Sequence, residues 1–496
     1  MISRRDLVRG LGALGALGLV RGSFAGDECF GPGPAARFCF EAPPFGLGVA
    51  SGDPRPRSVI LWTRLAESPL DPAGRGGLTA RSIPVDWAIA TDPQMGQVVA
   101  QGHESARAAT GYSVHARVQG LDPGRTYYYR FRCEGRASRV GRTRTAPEGS
   151  VGALRFAAVC CQDFAGHYGA FANLARERLD FVVHLGDTIY EAGWDGRAAG
   201  DLAGYRYKHA LFRADPRARD AWAAHPFIVT WDDHEVRDNY CGTDPAFDGL
   251  RSAAYQAFYE HMPLEPPDGV PAQWKDLRVY RDFRFGDLLD ISLLDLRQYR
   301  DPYPADPAAA ARAGRTLLGR RQKRWLMERL GTSRAQWLCV GSPLLMGEHP
   351  ANPDRWSGYA HERAEVLRRI GEAAAGRTVV ISGDLHQSVV GRLSSGDRCV
   401  ALECSIPAIS SQPPGAEHPD PDSGFAINRR VPQVLYHDAG YRGYVACEVT
   451  PARWRTTYRV LGGGGDSCMT TLAAFELARG EPDPKPSMSG LVPFPC

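Results

Sequence analysis

Lysine is nearly absent from this 496-residue chain. Of 59 basic residues, only Lys208, Lys275, Lys323 and Lys485 are not arginine. So broad a bias is compositional, which makes any single arginine weak evidence of phosphate binding. Net charge is also scarce. The formal balance is +3, and Arg4, Arg5, Arg9 and Arg21 against Asp6 account for it, leaving the rest of the chain neutral. Neutrality gives no electrostatic ground for a specific nucleic-acid partner or an anionic membrane. Beyond residue 25, no segment has the roughly 18 consecutive apolar residues of a membrane span, so the processed protein is expected to be soluble with no transmembrane span. No internal repeat is visible.

What is present begins at the N-terminus. Ser3-Arg4-Arg5-Asp6-Leu7-Val8 precedes an apolar, Gly/Ala/Leu-rich run from Leu11 to Val20, and Ser23-Phe24-Ala25 offers a small-residue cleavage site. A short helix with a chance arginine pair would explain one of these features but not their order. Residues 1–25 read as a twin-arginine signal peptide, which places the mature protein in the periplasm or outside the cell after passage through the twin-arginine export machinery. That route is associated with proteins that fold before crossing, often around a cofactor. Twelve cysteines fit an exported protein. Cys29 with Cys39, or Cys468 with Cys496, could pair, and spacing does not decide between them.

Residues 26–44 are rich in proline and glycine and read as a tether. From 45 to 146 the pattern is short β segments between turns, such as Ser58 to Arg64, Val85 to Ala90 and Ser113 to Val118. Gly120 to Phe131 adds a turn followed by alternating aromatics. This resembles the tyrosine corner of a fibronectin III or immunoglobulin-like β-sandwich. After a linker at 147–150, strands predicted at 154–160, 180–185, 227–231, 288–294, 337–341 and 378–382 alternate with helical stretches such as 170–178, 319–330 and 361–375. That alternation predicts an α/β domain of layered sheets over 151–462. Residues 463–496 lose the texture and read as a capping tail.

Several predicted strands end in metal-ligand side chains: Cys160-Cys161, Gly186-Asp187-Thr-Ile-Tyr190-Glu191, Asp232-Asp233-His234-Glu235 and Gly383-Asp384-Leu-His386. Ligands gather at the carboxyl ends of strands in open α/β sheets, so these four ends are expected to meet in one crevice. Singly, each motif has an ordinary reading. A Gly-Asp after a strand is usually a turn, a strand cysteine is usually a small buried hydrophobe, and an Asp-His pair usually makes surface hydrogen bonds. Together they are much less probable by chance. Carboxylates suit hard cations and thiolate or imidazole softer ones, so the mixture suits two or more metals sharing a bridging carboxylate. Such a cluster can clamp a phosphate oxygen and activate water. Glycines ahead of Asp187 and Asp384 permit close backbone approach.

Ordered blocks then carry a specific resemblance. They run from Phe45-Gly-Leu-Gly-Val-Ala-Ser-Gly-Asp53 through Cys161-Gln162, His184 to Glu191, Thr230 to Val236, Ala254 to Pro263, Asp295 to Arg300, Ser382 to His386 and Tyr441 to Tyr444. The chain resembles the PhoD-type alkaline phosphatases, a branch of the calcineurin-like metallophosphoesterases, from Phe45 to about Tyr458. The resemblance implies an α/β catalytic domain of two packed mixed sheets flanked by helices. It also implies a secreted phosphatase acting on monoesters, diesters or both, by attack of a metal-bound oxygen species on phosphorus.

By the same resemblance, Cys161, Asp187, Tyr190 and His386 would bind Fe(3+). Asp187 would bridge to one or two Ca(2+) held by Asp233, Asp384 and either Asp238 or Asn239. His234 would position the phosphate or protonate the leaving oxygen, or else hydrogen-bond Asp233. Arg297 or Arg300 would neutralise phosphate charge, or else pair with Asp295 or Asp301. Cys160 reads as buried and inert. Partners would be small phosphoesters, phospholipid or teichoic-acid-like polymers.

Asp163-Phe164 after the Cys161 block, a short loop at 195–205 and the glycine run of the tail depart from the family pattern and bear on specificity. Two other readings are a phospholipase D-like phosphodiesterase and a cell-surface binding protein with an inactive phosphoesterase domain.

Overall fold

Within the strand Leu154–Val159, Phe156 and Ala158 face one way while Ala157 and Val159 face the other, and all four are fully buried. Its parallel neighbours Phe181–His184 and Pro226–Val229 divide in the same manner, with Val182, Phe227 and Val229 on one face and Phe181, Val183 and Ile228 on the other. Parallel strands apolar on both sides must be covered on both sides. On one side lie helices Gly169–Leu174, Leu202–Arg213, Pro216–Ala224 and Asp248–His261, packed through Phe171, Phe212, Trp222 and Phe258. The other side meets a second sheet through Phe283, Ile291, Cys339 and Ile381. Helices Gly319–Thr332 and Ala360–Ala373 cover the far face of that sheet through Leu326, Leu330, Val366 and Ile370. The result is four layers: helices, sheet, sheet, helices.

This computed structural model describes residues 40–493 except 194, 303, 305, 306, 349–351, 414–430, 432, 463–467 and 482. The signal segment, most of the tether, Cys29, Cys39 and Cys496 lie outside the described residues. Among those described, no helix is long and apolar enough to cross a membrane. The first sheet has ten strands and the second seven, both of mixed direction. Helix starts follow local chemistry. Asp201 accepts the Gly204 N–H at 2.8 Å, and Asp215 accepts the Arg217 N–H at 2.8 Å with Pro216 in the first turn.

The expected sandwich at 45–146 differs in one respect. Its strands do form two packed layers, around Val59, Leu61, Ile83, Val85, Tyr129 and Phe131. Only one layer, which includes Ser82–Ala90, Val98–Arg107 and Thr126–Cys133, is a sheet of its own. The other layer is Val49–Gly52, Ser58–Arg64 and Ser113–Gln119, and it continues the ten-stranded sheet. Ser51 and Gly52 pair in parallel with Pro226 and Phe227. The segment is therefore not a detached unit, and local alternation cannot reveal a pairing with a strand so distant in sequence. At the corner between the layers, Tyr127 Oη accepts the Asp122 N–H at 2.9 Å.

The C-terminal region also differs from its sequence reading. Met469–Ala478 and Lys485–Pro493 are antiparallel strands that extend the first sheet beyond Arg453–Leu461. The glycine-rich stretch before them obscures this continuation.

Candidate active site

Five of the nine described non-glycine residues with positive φ lie in the four predicted strand-end motifs or just beyond one: Cys161, Asp187, Asn239, Asp384 and His386. An L-residue held in the left-handed region costs of order 1 kcal/mol or more, and such strain concentrates at functional sites. Gly186, at φ +106°, explains how two of these ends come together. A Cβ there would stand 2.4 Å from the Asp232 backbone nitrogen, so only glycine lets the loops touch.

The strand ends do meet. Cys161, Asp187 and His386 bring ligand atoms within 4.8 Å of one another, and so do Asp187, Asp233 and His234. Asp187 belongs to both groups. Tyr190 joins the first, with its Oη 3.0 Å from His386 Nε2 and 3.4 Å from Asp187 Oδ2, while Cys161 Sγ lies 3.4 Å from the same carboxylate oxygen. His386 is oriented through Nδ1, 3.0 Å from the Gln412 carbonyl.

The other predicted ligands lie close by but are differently engaged. Asp384 pairs with Arg355 through Oδ2, and its Oδ1 is 4.0 Å from Arg297. The Asn239 N–H donates to Asp233 at 2.6 Å, and the Asn239 side-chain amide donates to Asp238 at 3.2 Å. Asp238 itself is largely exposed and reaches to within 3.9 Å of His234 Nε2.

Burial shapes the protonation of this cluster. It pushes the Cys161 thiol, the Asp187 carboxyl and the Tyr190 phenol well above their ordinary pKa values, and neighbouring acidic groups push in the same direction. Asp233 is also penalised by burial, yet Arg297, His234 and the Asn239 N–H outweigh that and hold its carboxyl below the usual range. For His234, burial is outweighed by Asp233, Asp187 and Glu191, which favour the protonated ring. A thiol, a carboxyl and a phenol, all short of positive charge, form a donor set that a multivalent cation would satisfy. The residues thus fit a metal centre with a soft and aromatic side and a carboxylate side.

Three residues are engaged otherwise than the sequence suggests. Arg297 is fully buried and committed to carboxylates. It binds Asp232 at 2.5 and 3.1 Å and Asp354 at 2.7 Å, and it lies 3.5 Å from Asp233. Its charge holds the carboxylate side of the site in place, and the guanidinium is not open to a phosphate. Arg300, also fully buried, pairs with Asp354 at 2.7 Å and binds the Asn239 carbonyl at 2.7 Å, in place of the pairing expected with Asp295 or Asp301. His234 hydrogen-bonds Glu191 at 2.9 Å rather than Asp233, and its ring lies 4.2 Å from that of Tyr190. Cys160 is buried, as expected.

Supporting residues that the sequence reading passed over complete the site. Glu235, fully buried, accepts the Asp187, Thr188 and Asp232 N–H groups and the Thr188 hydroxyl at 2.6–3.1 Å. Glu191 accepts the Asp238 N–H at 3.0 Å besides holding His234. Both glutamates end motifs already singled out, so their position was a signal. Asp354, Arg355 and Ser411 lie away from the four motifs and carried none.

A carboxylate shared by two ligand groups, at the strand ends of paired sheets, suits a two-metal hydrolase, a class that includes the phosphatases. The chain belongs to the PhoD-like phosphatase family: the family's phosphatase domain matches residues 156–458 and its N-terminal domain matches residues 33–147. It is 36% identical to alkaline phosphatase D of Bacillus subtilis (strain 168), over 92% of this chain and 84% of that protein. The solved structure of PhoD superposes with a TM-score of 0.82 at 34% identity, covering 91% of this chain and 93% of that one.

Proposed function

We propose that this family member is an exported, metal-dependent phosphatase hydrolysing small phosphate monoesters, diesters or both. The observation that carries the reading is the position of Asp187, common to a thiol–imidazole group and a carboxylate–imidazole group. Cys161, Asp187, Tyr190 and His386 suit ferric iron. Asp187, Asp233, Asp384 and an oxygen from Asp238 or Asn239 suit one or two calcium ions. When bound, the cations supply Lewis acidity toward phosphoryl oxygens and a strong nucleophile at neutral pH.

The chain's own groups do the rest. Glu191 fixes His234 through Nδ1, which turns Nε2 toward the Asp238 side, where a protonated ring can give its proton to a leaving oxygen. Arg297 and Arg300 keep the carboxylate side ordered. The N-terminal layers are read as fibronectin III- or immunoglobulin-like, which the Tyr127–Asp122 bond supports. Export is the reading carried by the twin-arginine pattern of residues 1–25.

The test is metal analysis of protein exported in folded form, with Cys161→Ala alongside. Iron and activity should both be lost in the variant, and full activity there would refute the ligand assignment. Rates on a nitrophenyl monoester, its bis-ester and phosphatidylcholine set the substrate class, with preference for the lipid favouring a phospholipase D-like diesterase.

A further inference from the structure

Ser411 sits behind the Tyr190 ring oxygen, on the segment after the strand Arg398–Ser405. Its Oγ lies 3.0 Å from Tyr190 Oη and 2.8 Å from the Cys161 carbonyl, and it accepts the Asp163 N–H at 3.1 Å. The hydroxyl has one proton and two candidate acceptors. While Tyr190 keeps its own proton, it can donate to Asp187 Oδ2 at 3.4 Å or His386 Nε2 at 3.0 Å, and Ser411 divides its proton between the neutral phenol oxygen and the carbonyl. Once the tyrosine oxygen serves as an anionic metal ligand, a hydrogen bond to it is charge-assisted and stronger than one to a neutral carbonyl. Turning the proton away leaves little unsatisfied, because the Cys161 carbonyl still accepts the Ser411 N–H at 3.1 Å. Ser411 is itself buried, so water does not compete for the bond.

We propose that Ser411 is a positioning residue for Tyr190, donating its hydroxyl proton to the ligating tyrosine oxygen and thereby setting the ligand's orientation and donor strength. The inference rests on the reading of Tyr190 as an iron ligand. Its consequence is optical. A hydrogen bond stabilises the electrons of the tyrosine oxygen, so ligand-to-iron charge transfer needs more energy with the bond than without it.

The experiment records visible absorption and iron content on the full iron-loaded protein as wild type, Tyr190→Phe, Ser411→Ala, Ser411→Cys and Ser411→Thr. Loss of the visible band in Tyr190→Phe supports the ligand reading. Bound iron with no band in the wild type refutes that reading, and the role of Ser411 with it. Given the band, Ser411→Ala should move its maximum to longer wavelength at retained iron content, and Ser411→Thr should return it toward the wild-type position. Should the alanine variant not fold, Ser411→Cys, with a weaker donor, should shift the band in the same direction. A band at the wild-type position in either variant, at full iron content, overturns the role of Ser411 while leaving the ligand reading intact.

Discussion

Glu235 accepts the Asp187 N–H at 3.1 Å, so the loop after one strand is held by the carboxylate of the loop after the next. The same side chain takes the Thr188 and Asp232 N–H groups, which makes it the tie between the shared ligand Asp187 and the Asp232–Asp233 pair. Replacing it with alanine leaves several buried N–H groups without an acceptor. Glu235→Ala should lose about 2 kcal/mol or more of stability together with most metal binding. Denaturant unfolding and metal analysis would check this, and wild-type values in both would remove Glu235 from the framework.

Gly186→Ala is predicted to damage function more than stability. The added methyl meets the Asp232 backbone, and the residue's φ is one that alanine avoids. The loops must separate, and a misplacement of order 1 Å at a reacting centre costs about 100-fold in rate. A kcat within a few-fold of wild type would show that the loops adjust without consequence.

For Arg297 the expected loss is structural. Arg297→Ala strands Asp232 as an unpaired buried carboxylate and leaves Asp354 to Arg300 alone, at about 3–5 kcal/mol. Arg297→Lys should restore little, because one ammonium cannot make the paired contact to Asp232 and reach Asp354 as well. If instead the lysine variant unfolds like wild type and shows only a raised KM for phosphoester, Arg297 binds substrate and the reading of a committed guanidinium fails.

Stability should fall in mild acid. Burial holds His184 and His209 at a pKa of about 3 and His225 at about 4, against about 6.5 in the unfolded chain. These rings are neutral in the folded state and become charged on unfolding. Their contribution is complete above about pH 6.5, is lost as pH falls through that value, and levels off only near the folded pKa values. Each ring adds about 1.4 kcal/mol per pH unit within that window. His225→Gln, which keeps a donor for the Leu174 carbonyl, should reduce the slope of stability against pH by one ring's share. An unchanged slope would assign the acid sensitivity to other groups.

Much of this arrangement was legible in the sequence because its signals are local. The apolar runs at 154–160, 180–185 and 378–382 became Leu154–Val159, Phe181–His184 and Thr378–Ser382, each ending at its predicted ligand motif. What was missed depends on distance. The pairing of Ser51 with Pro226 leaves no local trace, nor does the bond from Ser411 to Tyr190. Arg297 is read from the sequence as a phosphate-neutralising residue, and its burial against Asp232 and Asp354 is not visible there. Which of several acids claims a guanidinium is decided by tertiary geometry, and Asp354 arrives from a loop with no motif of its own.

The order of strands in the large sheet also bears on how the molecule comes to exist. Ala158, beside the cysteine end of the site, pairs with Val445, while Phe227, beside the aspartate end, pairs with Gly52. The strands that carry the ligands are thus bordered on one side by an early part of the chain and on the other by a late one. The late border cannot form until residue 445 has been made, and contacts of such long range make folding slow. The binding groups can reach their final geometry only after the polypeptide is nearly complete. The proposed export route, which waits for the finished fold, suits a protein built this way.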